Sequence, residues 1–221
     1  EGFADERPTN LVFVSAFLMD RFEVTRSSWD DVYVWAMSHG YSFSNFGEGK
    51  GATHPIHSLN WFDAVKWCNA RSEMEGRPPV YFTSAAQTNV YRTGELTLTN
   101  GCVRWGAAGY RLPTEAEWEK AVRAGVNGQR FPWGATVTFA NANYRGVTYQ
   151  SYDLSGTNSF HPTFEIGNLP YTSPVGSFAA NAYGLTDLAG NVMEWCWDGY
   201  DAAWYANTNA TQPDTRGPSG V

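Results

Sequence analysis

The chain has 221 residues, 43% of them hydrophobic and 16% aromatic, so it can bury a large core as one domain. The 15 lysines and arginines are outnumbered by 22 aspartates and glutamates, and the net charge of −7 disfavours nucleic acid and anionic membrane surfaces as partners. The longest apolar run, Leu11 to Met19, is far shorter than the ~20 residues of a bilayer-spanning helix, so no membrane span is predicted.

The chain begins with EGFADERPTN, which lacks the basic start and the apolar stretch of a secretory signal peptide. We therefore expect that any targeting segment was removed before this sequence begins or never existed. The compartment stays open, although a secreted or periplasmic location ranks ahead of a cytoplasmic one.

Caps and hydrophobic spacing predict three helices. The first follows Thr25 and the second follows Asn60, two residue types that accept hydrogen bonds from the first backbone amides of a helix. The third begins with a capping box formed by Thr114 and Glu117, and it ends before Gly125. Tryptophans at helical spacing are predicted to fill the core: Trp29, Trp61 and Trp118.

Between and after the helices the composition changes. Residues 80–105 are rich in β-branched and aromatic residues broken by Thr-Gly and Asn-Gly, which predicts short strands and hairpins. From Phe131 onward, glycine, proline, asparagine and serine predict long irregular loops. If these loops expose their aromatic side chains around one groove, a peptide or glycan ligand is expected: Trp133, Tyr144, Tyr149, Tyr152, Tyr171, Tyr183, Trp204 and Tyr205. The fold class is α+β with a loop-dominated second half.

The three cysteines, Cys68, Cys102 and Cys196, are far apart in sequence and form no zinc or redox motif. One disulfide is possible. Three buried thiols that pack as small apolar side chains are the favoured interpretation.

The stretch GLTDLAGNVMEWCWD places carboxylates beside tryptophans, and something must satisfy these polar groups. The side chains of Asp187 and Glu194, together with the carbonyls of Gly190 and Val192, can supply hard oxygen ligands to a calcium ion. Alternatively, Asp187 caps a turn and Glu194 pairs with an arginine in the region of Arg111. Spacing alone does not decide between the two interpretations.

Four motifs in chain order resemble the formylglycine-generating enzyme (sulfatase-modifying factor) family: FLMDRFEVTRSSW, HPIHSLNWFDAVKWCNARS, GYRLPTEAEWEKAVRAG and NAYGLTDLAGNVMEWCWD. The resemblance extends from about Val12 to Asp198. It implies an irregular C-type-lectin-like α+β fold with long loops and little regular secondary structure. It also implies a single domain over residues 1–221, without the C-terminal segment that carries the family's copper cysteines.

The resemblance also implies calcium ligands. For the first site they are the side chains of Asp187 and Glu194 and the carbonyls of Gly190 and Val192. A second site would use the Asn143 side chain and the Tyr144 carbonyl, with Asn168 at the position where the family carries an aspartate. Because a charged ligand is lost there, calcium affinity at the second site is expected to be lower.

The well-known enzymes of this family hold copper(I) between two cysteines, after an Arg-Gly-Gly-Ser strand, and use oxygen to convert a substrate cysteine to formylglycine. Soft thiolates select Cu(I), so that pair is required for the reaction. None of the three cysteines of this chain matches the pair, and the sequence ends about where the segment should begin. Met193 also stands where the best-known members carry a tryptophan beside the substrate groove, which weakens the expectation of a sulfatase peptide as substrate.

Three functions remain open at this point. The first is a calcium-stabilised binding or scaffold module for a peptide, protein or glycan. The second is a copper- and oxygen-dependent oxidase of a substrate cysteine, with its catalytic segment beyond Val221. The third is a lectin-like ligand-binding receptor on the same fold.

Overall fold

The computed structural model describes residues 7–218. It contains the α-helices α1 (Arg26–Met37), α2 (Trp61–Met74) and α3 (Glu115–Arg123). Within residues 7–218 there are also three short 3₁₀ helices: Asn100–Cys102, Trp204–Ala206 and Thr208–Thr211. The expectations about the first residues and the last residues of the sequence fall partly on 1–6 and 219–221, which lie outside the described residues.

The predicted helix starts are confirmed by their capping hydrogen bonds. The side chain of Thr25 accepts from the Ser28 amide at the start of α1, and that of Asn60 caps α2 in the same way. Thr114 and Glu117 form the predicted capping box at the start of α3. These local interactions explain why three helices form where the sequence predicts them.

The strands predicted for residues 80–105 are present only as isolated bridges. Tyr81 pairs with Val103, and Phe82 pairs with Val90, both in antiparallel orientation. Elsewhere in the described part of the chain, β-structure likewise consists of single bridges. The prediction of short strands and hairpins is therefore wrong, although single antiparallel bridges form within this segment.

A buried side chain from α2 takes the place of a β-ladder in this region. The Oδ1 atom of Asn69 accepts hydrogen bonds from the amides of Val80 and Tyr81, both at 2.9 Å. Its Nδ2 atom donates to the carbonyls of Tyr81 and Tyr91. One amide thus satisfies four backbone groups that strand pairing would otherwise satisfy.

The core is built from aromatic side chains on α1 and α2. Trp29 and Trp67 stack with parallel rings whose centroids are 5.5 Å apart. A second aromatic group forms around Trp197, which is 3% exposed and contacts Trp61 and Tyr81. Since Trp197 lies near the end of the stretch GLTDLAGNVMEWCWD, this part of the core anchors the end of that stretch.

A buried ion pair joins α2 to the loop after α1. Asp63 and Lys66 are 0% and 1% exposed, and their charged atoms lie 2.9 Å apart. The Asp63 carboxylate also accepts from the amides of Ser44 and Asn45. Lys66 donates to the carbonyl of Ser42. The pair therefore fixes the loop through both of its members.

The second half of the chain is irregular, as predicted. After α3, the described residues contain no α-helix, and turns and single bridges connect them up to the last 3₁₀ helices. Within residues 7–218, none of the helices has the length and apolarity that crossing a bilayer requires.

Candidate metal centre

Asp187 carries a buried carboxylate oxygen without a partner. The residue is 8% exposed and has a φ of 61°, which holds it in a tight loop rather than in a helix. Its Oδ2 atom accepts from the Gly176 amide (2.5 Å) and from the Thr186 hydroxyl (2.8 Å). Its Oδ1 atom is buried and accepts no hydrogen bond. An anionic oxygen of this kind is costly to bury, and it is suited to a cation.

Glu194 lies near Asp187, and within residues 7–218 it forms no ion pair with an arginine. Its Oε2 atom accepts from the Trp118 indole N–H at 2.8 Å. Arg111 instead forms a two-pronged ion pair with Glu117, with both contacts at 2.6 Å. The interpretation that pairs Glu194 with the Arg111 region is therefore wrong.

The pKa of Glu194 reflects its crowded surroundings. The residue as a whole is exposed, but its carboxylate end lies against Trp118. Burial raises the pKa of Glu194, the hydrogen bond from Trp118 lowers it, and the negative charge of Asp187 raises it. The two carboxylates thus repel each other across the loop. A positive charge between them would relieve that repulsion.

Glu23 is a third carboxylate at this centre, and it was not among the residues predicted from the sequence. Its Oε2 atom accepts from the Asn191 side chain at 2.7 Å, and its Oε1 atom accepts from the Val192 amide at 3.4 Å. Burial raises the pKa of Glu23 to about 8, and the charges of Glu194 and Asp187 act in the same direction. Its position in the motif FEVT is the only sequence signal that could have found it.

Asn191 holds the loop against two other segments. Its backbone amide donates to the Asn143 carbonyl (2.7 Å), and its Oδ1 atom accepts from the Ser173 amide (2.8 Å). The neighbouring Gly190 has a φ of 93°, and a Cβ atom there would lie 2.4 Å from the Asn143 carbonyl oxygen. The close approach of the two backbones therefore requires glycine at this position.

The residues predicted for a second calcium site are engaged in different ways. Asn143 is buried, and its side chain donates to the Tyr171 carbonyl at 2.6 Å. Tyr144 donates its hydroxyl to Asp153, and burial together with this hydrogen bond raises the pKa of Tyr144 to about 12. Asn168 is exposed. The second site stays a prediction, while Asn143 contributes to the first centre through Asn191.

The chemistry of the donor set favours hard oxygen. In residues 7–218, no three His, Cys, Asp or Glu side chains lie close enough to hold a metal ion on their own. A cation between Asp187 and Glu194 would therefore need backbone carbonyls as well, such as those predicted at Gly190 and Val192. Carboxylates combined with carbonyls in a flexible loop suit calcium.

The three cysteines do not form a soft metal site. All three are free; Cys68 and Cys102 are buried, and Cys196 is half-buried. Burial raises the pKa values of Cys68 and Cys196 to about 12. Both thiols therefore stay protonated at neutral pH, which disfavours binding of copper(I) as thiolates.

The loop aromatics divide into two groups by exposure. Three are exposed: Trp133, Tyr149 and Tyr183. Five are half-buried: Tyr144, Tyr152, Tyr171, Trp204 and Tyr205. Next to the carboxylate loop, the most exposed apolar side chains are Met193 at 98% and Trp195 at 49%. Trp118, which was predicted to lie in the core, is only half-buried, and its indole N–H donates a hydrogen bond to Glu194.

Asp198 provides a pH-sensitive contact at the start of α3. Its Oδ2 atom accepts a hydrogen bond from the Glu115 amide at 2.6 Å. Burial, partly offset by this hydrogen bond, raises the pKa of Asp198 from 3.8 to about 6, and the charges of Glu115 and Glu117 also raise it. The protonated carboxyl group favours the folded state below pH 3.8, and this contribution is lost as the pH rises through about 6.

We expect Asp198→Asn to raise the free energy of unfolding relative to wild type at about pH 7.5 and to change it little near about pH 4. The asparagine keeps an oxygen for the Glu115 amide and cannot ionise. Urea unfolding at both pH values measures the difference. Asp201→Asn, in the exposed turn that follows, controls for the loss of one carboxylate. An equal effect of Asp198→Asn at both pH values would contradict the assignment.

The sequence matches a known family over almost its entire length. A family model described as the sulfatase-modifying factor enzyme 1-like domain matches residues 1–218. The chain belongs to the formylglycine-generating enzyme family. The resemblance inferred from the four motifs is thereby confirmed.

Three relatives illustrate the range of names within this family. A formylglycine-generating enzyme of Streptomyces coelicolor is 38% identical, over 96% of this chain and 68% of that protein. One of Thermomonospora curvata is 35% identical, over 96% of this chain and 70% of that protein. The chaperone protein LppX of Paenibacillus barcinonensis is 34% identical, over 85% of this chain and 64% of its own length. The chain thus spans about two thirds of each relative.

Solved structures support the family fold. The crystal structure of CarF is similar with a TM-score of 0.60 and 29% identity, over 82% of this chain and 67% of that chain. Treponema denticola variable protein 1 has a TM-score of 0.57 and 23% identity, over 95% of this chain and 71% of that chain. The predicted irregular α+β fold with long loops is confirmed.

Proposed function

We propose that this formylglycine-generating-enzyme-family domain is stabilised by calcium bound at the loop of residues 187–194. The observation that carries the proposal is the buried Oδ1 atom of Asp187, which accepts no hydrogen bond. The raised pKa of Glu194 supports it, because burial and the charge of Asp187 disfavour its ionised form in the metal-free protein. Bound calcium supplies the positive charge that these carboxylates share.

Calcium bound at this loop would stabilise a large part of the domain, because the loop contacts several other segments. Asp187 contacts residue 176, Glu194 contacts Trp118, and Asn191 contacts Asn143 and Ser173. These contacts join α3 to segments of the described second half that contain no α-helix and no β-ladder. A cation that orders the loop would therefore also stabilise the segments packed against it.

Calcium titration with thermal unfolding tests the proposal. Calcium at about 100 times its dissociation constant stabilises a protein by about 2.7 kcal/mol, which corresponds to a rise of roughly 5–10 °C in Tm for a chain of this size. We expect this rise for the wild type, and we expect Glu194→Gln and Asp187→Asn to abolish it.

The matched control is Glu165→Gln, which removes an exposed carboxylate from the same half of the chain. It should keep the full response to calcium. A wild-type Tm that is unchanged by calcium and by chelator would refute the proposal.

For this calcium-stabilised domain we propose a binding or scaffold role toward a protein, peptide or glycan. Met193 and Trp195 support this role, because they expose apolar surface directly at the calcium loop. The relative named as a chaperone protein is consistent with such a role. A peptide or glycan binding screen should identify a ligand. Met193→Ala should weaken the binding of that ligand without changing the rise in Tm that calcium causes.

The second candidate function is oxidation of a substrate cysteine to formylglycine. It is favoured by the two relatives at 35% and 38% identity whose names carry that activity. The protonated thiols of Cys68 and Cys196 do not suit copper(I), so a copper pair would have to come from residues outside this sequence. Copper(I) binding and turnover of a cysteine-containing peptide by the complete gene product would distinguish this function from the scaffold role.

A further inference from the structure

Glu23 connects the N-terminal segment to the loop of residues 187–194. Its carboxylate accepts hydrogen bonds from the Asn191 side chain and the Val192 amide. Beside it, the Thr186 amide donates to the Arg21 carbonyl at 3.2 Å. Residues 21–23 and residues 186–192, which are far apart in sequence, are thus joined by several hydrogen bonds.

The same N-terminal segment leads directly into α1. The Val24 carbonyl accepts from the Ile56 amide at 2.9 Å, and Thr25 forms a bridge with Pro55 and caps α1. Residues 21–25 therefore lie between the carboxylate loop and the segment that precedes α2. Any change at the loop reaches the start of α1 through a few hydrogen bonds.

The choice of a carboxylate at position 23 needs a reason of its own. Its two oxygens accept one hydrogen bond each, Oε2 from the Asn191 side chain and Oε1 from the Val192 amide, whereas a glutamine has only one oxygen that can accept. The charged groups that act on Glu23 are Glu194 and Asp187, both of which are negative. A carboxylate at this position therefore supplies two acceptors and, when ionised, also adds repulsion, which a cation bound at the loop would relieve.

We propose that Glu23 is a positioning residue of the calcium site, whose two hydrogen bonds hold the loop of residues 187–194 against the N-terminal segment. This inference rests on the proposed calcium function. Second-layer carboxylates of this kind orient the direct ligands and tune the affinity for the ion. Calcium binding at the loop is then coupled to the ordering of residues 21–25.

The test compares wild type, Glu23→Gln and Glu23→Ala. Calorimetric titration measures calcium binding, and thermal unfolding is followed with and without calcium. Glu23→Gln keeps one acceptor oxygen and loses the other, together with the ability to ionise. We expect it to weaken calcium binding by about tenfold, because one of the two hydrogen bonds that hold the loop is lost. Glu23→Ala should weaken calcium binding further, because both the Asn191 and the Val192 contacts are lost. Hydrogen exchange should show that calcium protects the amides of residues 21–25 in wild type and less so in Glu23→Ala.

The outcomes separate this inference from the proposed function. If wild type does not bind calcium, both are overturned. If wild type binds calcium and Glu194→Gln does not, but both Glu23 variants bind with unchanged affinity, only the role of Glu23 is overturned. Variants that lower Tm by the same amount with and without calcium would assign Glu23 a structural role alone, and that also overturns the inference.

Discussion

Asp63→Ala is expected to lower the free energy of unfolding by about 3–5 kcal/mol, because it leaves the buried Lys66 ammonium without its counter-charge. Lys66 is 1% exposed, so water cannot replace the lost carboxylate. The amides of Ser44 and Asn45 lose their acceptor at the same time. Urea unfolding measures the loss, and a Tm lower by roughly 6–20 °C should accompany it.

Two further variants show whether burial is the cause. Asp30→Ala breaks the ion pair between Asp30 and Arg26, which is partly exposed, and should cost no more than about 1 kcal/mol. Combining Asp63→Ala with Lys66→Met removes both charges and should recover part of the stability lost in the single variant. If the free energy of unfolding of Asp63→Ala lies within about 1 kcal/mol of the wild-type value, the explanation by burial is contradicted.

Gly190→Ala is expected to lower stability by about 2–5 kcal/mol and to remove the calcium response. The position has a φ of 93°, and the added methyl group would meet the Asn143 carbonyl oxygen at 2.4 Å. The two backbones must then separate, which breaks the hydrogen bond from Asn191 to Asn143. Calcium titration followed by thermal unfolding reports both effects in one experiment.

Gly184→Ala is the matched control for this substitution. Gly184 lies in the same loop region and has a φ of 81°, but a Cβ atom there would meet nothing within 4 Å. It should therefore show only the strain of a positive φ, about 1–2 kcal/mol, and keep the calcium response. If the two glycine variants behave alike, the contact with Asn143 does not matter for the site.

Local features of the fold could be predicted from the sequence. Each helix begins at a capping residue whose hydrogen bond lies within three residues, as at Thr25, Asn60 and Thr114. Such interactions depend on neighbours in the chain, so a short window of sequence contains all of their causes. The carboxylates Asp187 and Glu194 could be proposed as ligands for the same reason, since they belong to one short motif.

The features that were missed depend on residues far apart in the chain. Glu23 contacts Asn191 across 168 positions, and Trp118 contacts Glu194 across 76. No local pattern records these contacts, and a tryptophan at helical spacing normally predicts burial. The predicted hairpins of residues 80–105 failed similarly, because the side chain of Asn69, from a different element, binds the backbone groups that strands would pair.

The use of Asn69 and Asn191 in place of ladders has a consequence for how this fold can vary. When one amide side chain satisfies several backbone groups, the residues between such points need no alternating pattern and no fixed register. Insertions and changes of composition in the connecting loops are then tolerated, and divergent surfaces can evolve on one frame. The constraint is concentrated instead on a few small polar side chains, where a single replacement disrupts several segments at once.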